Sequence, residues 1–99
     1  MNIKIQSVRF DADKKLIHFI NQKLKKLGQY NERIIGADVF LRLDKSNDTE
    51  NKITEIRLDI PKNPLFAKRQ CKTFEEATDE AVNALKRQIT KQKDKLRGV

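Results

Sequence analysis

Thr73-Phe74-Glu75-Glu76-Ala77-Thr78-Asp79-Glu80-Ala81-Val82-Asn83-Ala84-Leu85-Lys86-Arg87-Gln88-Ile89-Thr90-Lys91-Gln92-Lys93-Asp94-Lys95-Leu96-Arg97 reads as one long helix with an apolar stripe along a single side. It opens on Thr73-x-x-Glu76, a capping box in which the hydroxyl and the carboxylate each accept an orphan amide of the first turn. From Phe74 the stripe passes through Ala77, Thr78, Ala81, Val82, Leu85, Ile89 and Leu96 at helical spacing. At 1.5 Å per residue the helix is roughly 36 Å long, so part of its far end is expected to project beyond the layer it packs on.

Upstream the period changes to two. Ala37, Val39, Leu41 and Leu43 alternate with Asp38, Phe40, Arg42 and Asp44, and Ile56, Leu58 and Ile60 alternate with Glu55, Arg57 and Asp59. These are strands with one buried face, joined by a turn over Lys45 to Asn51. Pro61-Lys62-Asn63-Pro64 ends the second of them by fixing φ twice and removing two donors. Leu65 to Cys71 forms a further strand, whose Lys68, Arg69 and Gln70 suit a sheet edge. At the start of the chain Ile3 and Ile5 alternate with polar residues and then shift phase to Val8 and Phe10, which predicts a first strand with an irregularity near Ser7. Asp11 is placed to cap the next segment, where Leu16, Phe19, Ile20, Leu24 and Leu27 mark a helix of about four turns that Gly28 is expected to stop. The order βαβββα gives an α+β fold, a four-stranded sheet with two helices packed on one face.

The charge on the long helix is segregated. Its start carries Glu75, Glu76, Asp79 and Glu80, and its last residues carry Lys86, Arg87, Lys91, Lys93, Lys95 and Arg97 against Asp94. Acids first and bases last complement the helix dipole, at roughly 0.3 to 1 kcal/mol per well-placed charge, but that effect acts only in the terminal turns. The cations here begin three turns before the end and flank the apolar stripe on both sides. Like charges four residues apart, Arg87/Lys91 and Lys91/Lys95, each cost a helix roughly 0.2 to 0.5 kcal/mol, which a bound polyanion would relieve. On the first helix Lys14, Lys15, Lys25 and Lys26 lie outside, whereas Lys23 falls within the apolar arc and is expected to snorkel out at its edge.

Ninety-nine residues with a net charge of +8 make one domain suited to nucleic acid, an anionic surface or an acidic partner. A membrane-surface helix would carry more bulky apolar residues than Leu85, Ile89 and Leu96, and no run approaches the ~18 apolar residues of a membrane span. Cys71 is the sole cysteine, so an internal disulfide framework is excluded, and its expected place is packing at a strand end. His18 is expected on the surface. The sequence has no metal-ligand spacing, no phosphate-cradling glycine loop and no nucleophile beside a base, which argues against an enzyme, a cofactor or a small-molecule substrate.

Two stretches carry a resemblance: Phe19-x-x-x-Lys23-x-x-Lys26-Leu27-x-x-Tyr30-x-x-Arg33-Ile34, and Leu85-x-Arg87-Gln88-x-Thr90-Lys91-x-Lys93-Asp94-Lys95-Leu96. In this order, separated by three strand patterns, they make the chain similar to the ribosome hibernation promoting factor family, which includes protein Y and was once named for sigma-54 modulation. The resemblance spans nearly the whole chain. It implies a cytoplasmic factor that binds small-subunit rRNA in the channel for messenger and transfer RNA, and so blocks the A and P sites when growth slows. By position it implies rRNA-binding roles for Lys23, Lys26, Arg33, Lys86, Arg87, Lys91, Lys93 and Lys95, mainly on phosphates, which fix position without reading sequence. Gln92 and Glu75 stand where many relatives have His or Tyr, so the stacking that those residues could make is not implied here. Long members of the family add a C-terminal domain that pairs ribosomes. Residues 1–99 are expected to be a single ribosome-binding domain without that dimerisation domain, a short form.

Two other functions compete. The αβββα portion resembles double-stranded RNA-binding modules, but those place bases at the start of the last helix, where this chain has acids. A protein-interaction module, modulating a sigma factor, is the other alternative.

Overall fold

The computed structural model describes residues 1–46 and 48–96, with side chains through Gln92. Strand β1 (Asn2–Ser7) leads into helix α1 (Lys14–Tyr30), then strands β2 (Gly36–Leu43), β3 (Lys52–Asp59) and β4 (Leu65–Cys71), and finally helix α2 (Phe74–Leu96). The sheet has the order β1-β2-β3-β4. β1 pairs with β2 in parallel, Ile3 opposite Ala37 and Ile5 opposite Val39, because α1 carries the chain back before β2 begins. The other two pairs are antiparallel, with Val39 opposite Ile56 and Ile56 opposite Ala67. This is the expected α+β architecture, and β4 takes the edge position that its mixed pattern suited.

Both helices cover the same face. Val39, Leu41, Ile56 and Leu58 from the sheet are completely buried against Ile20, Leu24 and Leu27 of α1 and Ala77, Ala81, Leu85 and Ile89 of α2. Each such aliphatic side chain contributes roughly 1.5 to 3 kcal/mol by leaving water. Thr54 and Thr78 are buried among them with their hydroxyls 3.4 Å apart. The opposite sheet face is open and carries Lys4, Asp38, Phe40, Arg42, Glu55, Arg57, Phe66 and Lys68. On it Glu55 is paired to Arg42 and lies 3.9 Å from Lys68.

Several local expectations are corrected. Asp13, not Asp11, caps α1: its carboxylate accepts the Leu16 amide at 2.8 Å. The strand irregularity near Ser7 explains the change, since β1 stops there and Arg9 takes a left-handed φ of 65° before the chain turns into the helix. Gly28 does not stop α1, which runs on to Tyr30 and ends at Asn31. A β-carbon at Gly28 would lie 2.5 Å from the end of Met1, so the glycine makes room for the chain's first side chain. Leu43 is exposed because β2 outruns the helices there. The Thr73 cap is as expected, its hydroxyl accepting the Glu76 amide at 3.0 Å. Every member of the α2 stripe from Phe74 to Ile89 is buried, while Leu96 lies outside the described side chains.

The helices run the same way. Phe10 stacks on Phe74 near their starts, with ring centres 5.2 Å apart, Lys23 meets Asp79 further along, and Tyr30 meets Thr90 towards their ends. The β2–β3 turn and the start of α2 therefore share one end of the molecule, and the ends of both helices share the other.

Candidate nucleic-acid interface

On α1 the residues Phe19, Lys23, Lys26 and Tyr30 recur at three- and four-residue steps and form the edge that faces α2. On α2 the matching edge is Asp79, Asn83, Lys86 and Thr90. Two contacts fix how the edges meet. Lys23 Nζ lies 2.9 Å from Asp79 Oδ1 and 5.4 Å from the centre of the Phe19 ring. Eleven residues further along α2, Tyr30 Oη lies 2.8 Å from Thr90 Oγ1. Thr90 also donates its hydroxyl to the Lys86 carbonyl at 3.0 Å, so its one proton is used and Tyr30 is the donor to Thr90.

These contacts divide the seam. Its upper half is closed by an ion pair and is locally neutral. Its lower half presents Lys26 from α1 and Lys86 from α2 on either side of the Tyr30–Thr90 bridge. Arg87 points outward from α2, Lys91 lies further round on the flank towards β4, and Arg33 sits in the loop that follows α1, its amide held by Asn31 Oδ1 at 2.9 Å. All five of these cations are exposed. Among the described residues no ion pair engages them.

The sequence-expected residues thus fall into three groups. Lys26, Arg33, Lys86, Arg87 and Lys91 share the end of the molecule where both helices finish. Lys23 is half-exposed as expected of a snorkelling lysine, but Asp79 holds its ammonium, which makes it a tie between helices. Lys93 and Lys95 lie on the last turn of α2 and their side chains, like Arg97, are outside the described residues. The sequence reading did not find the Tyr30–Thr90 bridge or the role of Asp79. Both polar partners stand on the inter-helix edges, and a parallel packing of the helices is needed to bring them together.

At the opposite end the fold shifts two titrations. Hydrogen bonds from the Ser46 hydroxyl and then the Gln70 amide lower the Asp44 carboxyl. Burial, and then a hydrogen bond to Glu80 at 3.0 Å, push the Cys71 thiol up to about 12. A thiol held protonated is a poor nucleophile. Among the described residues no cluster of His, Cys, Asp and Glu could hold a metal ion, and no helix is long and apolar enough to cross a membrane.

Residues 3–97 match the sequence model of the family described as Sigma 54 modulation protein / S30EA ribosomal protein. The chain belongs to that family. Membership agrees with a binding protein that is not an enzyme. Among the relatives of this S30EA family member, the Ribosome hibernation promotion factor of Bacillus subtilis is 30% identical over 96 residues, which are 97% of this chain and 50% of that protein. The Ribosome hibernation promoting factor of Escherichia coli is 29% identical over 97 residues, 98% of each chain. The chain therefore spans about half of one relative and nearly all of the other. A ribosomal subunit interface protein from Coxiella burnetii has the same fold at a TM-score of 0.85 and 18% identity, covering 95% of this chain and 99% of that one. The Protein Y N-terminal domain of Thermus thermophilus has it at 0.77 and 24%, covering 92% and 98%.

Proposed function

We propose that this chain is a cytoplasmic ribosome hibernation factor that binds small-subunit rRNA in the channel for messenger and transfer RNA, blocking the A and P sites when growth slows. The observation that carries the reading is the convergence of Lys26, Arg33, Lys86, Arg87 and Lys91 at one end of the molecule, exposed and with no carboxylate partner among the described residues. Both helices and the loop after α1 supply them, so the cationic surface is broad enough to follow a folded RNA backbone. The names of the Escherichia coli and Bacillus subtilis relatives support the ribosome as the target. Binding is by phosphate contact, and inhibition is by occupancy. The acidic start of α2, with Glu75 and Glu76 exposed, disfavours the docking of a duplex-RNA module, which uses bases there.

The test is cosedimentation of the purified chain with small subunits, large subunits and free transfer RNA. Small subunits alone should retain it. The double reversal Arg87→Glu/Lys91→Glu should release it with the fold intact, because both side chains are exposed. Retention of that variant would remove these residues from the interface.

A further inference from the structure

Among the described residues two that are not glycine hold a left-handed backbone, Arg9 with φ 65° and Lys62 with φ 72°. Lys62 is the third residue of the β3–β4 turn: Pro61 precedes it, and the Asn63 amide donates back to the Ile60 carbonyl at 3.2 Å. A proline followed by a left-handed residue and closed by that bond is a type II turn, whose third position glycine fills without strain and asparagine with little. A lysine there is held against its own preference, because its β-carbon crowds the backbone in that conformation. The chain's own asparagine stands one position too late to relieve it.

Two hydrogen bonds fix where this turn sits. The Ile35 amide donates to the Asp59 carbonyl at 2.8 Å, which sets the turn beside the loop that carries Arg33. On the other side Gln88 Nε2 donates to the Phe66 carbonyl at 3.1 Å, which ties the start of β4 to the stretch of α2 that carries Arg87 and Lys91. The turn therefore closes the sheet at the end of the molecule where both helices finish. Lys62 is exposed there, and among the described residues no ion pair engages it, the exposed carboxylates of Glu32 and Asp59 at this end included. From this we infer that Lys62 is a phosphate-binding residue of the rRNA site, and that the β3–β4 turn carries that site from the helix ends across the tip of the sheet. Pro61 and Pro64 stiffen the turn on both sides of the lysine, so little order is lost when a phosphate binds. The inference rests on the RNA-binding reading above and extends it to an element that neither helix pattern contains.

The test compares two variants of the full chain in small-subunit binding over a salt series. Lys62→Asn keeps a residue suited to the turn and removes the cation. Arg9→Asn does the same to the other left-handed cation, which lies at the far end of the molecule between β1 and α1. Lys62→Asn should melt no lower than the parent and flatten the slope of log K against log salt by about 0.7 to 0.9. For a contact that vanishes at about 1 M salt, that slope is a loss of roughly 8- to 15-fold in affinity at about 50 mM. Arg9→Asn should change neither slope nor affinity, and Lys62→Arg should bind like the parent. In the second arm the parent chain, free and bound to small subunits, is acetylated with an N-hydroxysuccinimide ester and its lysines are read by mass spectrometry. Binding should protect Lys62 together with Lys86 and Lys91, and more than Lys14 and Lys45 at the far end. Parent-like affinity and slope in Lys62→Asn, equal weakening by Arg9→Asn, or a Lys62 protected no better than Lys14 and Lys45 would each overturn the inference. If one of these occurs while Arg87→Glu/Lys91→Glu is released, Lys62 alone is removed from the site and the hibernation reading stands. If the parent chain does not bind small subunits, that reading fails and the role of Lys62 fails with it.

Discussion

Replacing both Lys86 and Arg87 by glutamine should flatten the salt dependence of small-subunit binding, whereas replacing Lys23 should leave it unchanged. Each neutralised phosphate contributes about −0.7 to −0.9 to the slope of log K against log salt, the range from single strands to duplex. Among the described residues the exposed cations outside any ion pair, Lys26, Arg33, Lys86, Arg87 and Lys91, therefore contribute about −3.5 to −4.5 to the slope. Between about 50 and 200 mM salt this is a loss of roughly 130- to 500-fold in affinity. The double glutamine variant should bring that contribution to about −2.1 to −2.7. Lys23 contributes nothing to the count because its ammonium sits 2.9 Å from the Asp79 carboxylate. Losing that half-exposed pair should cost at most about 1 kcal/mol of stability. Asp79→Asn is the most discriminating arm, since it frees the Lys23 ammonium and should steepen the slope by about 0.7 to 0.9. The assay is filter binding or fluorescence polarisation with purified small subunits over a salt series. The reasoning is refuted if Lys23→Gln flattens the slope as much as either seam residue does, or if the double variant keeps the parent slope.

Two glycines should respond in opposite directions to alanine. At Gly28 the new methyl meets only the flexible end of Met1, so the gain from replacing a mid-helix glycine, about 0.5 to 1 kcal/mol, should prevail and raise the melting temperature. At Gly36 the methyl would lie 2.9 Å from the Asn2 carbonyl oxygen, and shifting the β1–β2 ladder should cost roughly 1 to 3 kcal/mol in urea melts. Asp13→Ala should destabilise by about 1 kcal/mol through loss of the Leu16 cap, while Asp11→Ala should be nearly neutral; equal effects would contradict the capping geometry. Cys71, raised from the ordinary 9.0 to about 12, stays a thiol in the fold when the unfolded chain would ionise. Iodoacetamide at mildly alkaline pH should therefore modify the folded chain far more slowly than the urea-unfolded one, and stability should fall as pH rises from about 9 towards 12.

What was legible in the sequence was what periodicity encodes. The alternation through Val39 and Ile56, the stripe from Phe74 to Ile89 and the Thr73 cap are local patterns, and local geometry fixes their outcome. Gly28 was misread because its purpose is non-local: it admits Met1, twenty-seven positions earlier in the chain, and ends nothing. The choice between Asp11 and Asp13 depended on a left-handed residue at Arg9, which alternation does not encode. For the interface, the cations were visible as a cluster in the chain, but their pairing was not. Lys23 and Asp79 belong to segments with no sequence relation, and only the parallel run of α1 and α2 places them in contact. The same packing makes Tyr30 a partner of Thr90, a pairing invisible to either helical pattern alone.

Because α1 and α2 run the same way, the excess positive charge of the chain is concentrated towards one end of its length. Exposed cations of both helices gather where α1 and α2 finish, whereas at the other end Asp44, Asp48, Glu50, Glu75 and Glu76 stand among Lys14, Lys15, Lys45 and Lys72. The molecule is 47 Å long, several times the roughly 8 Å over which physiological salt screens a charge. A nearby polyanion therefore feels one end at a time: the signs largely offset at the mixed end, and it is drawn to the basic one. The resulting torque turns the protein basic end first before any contact forms, so most encounters begin already facing the right way.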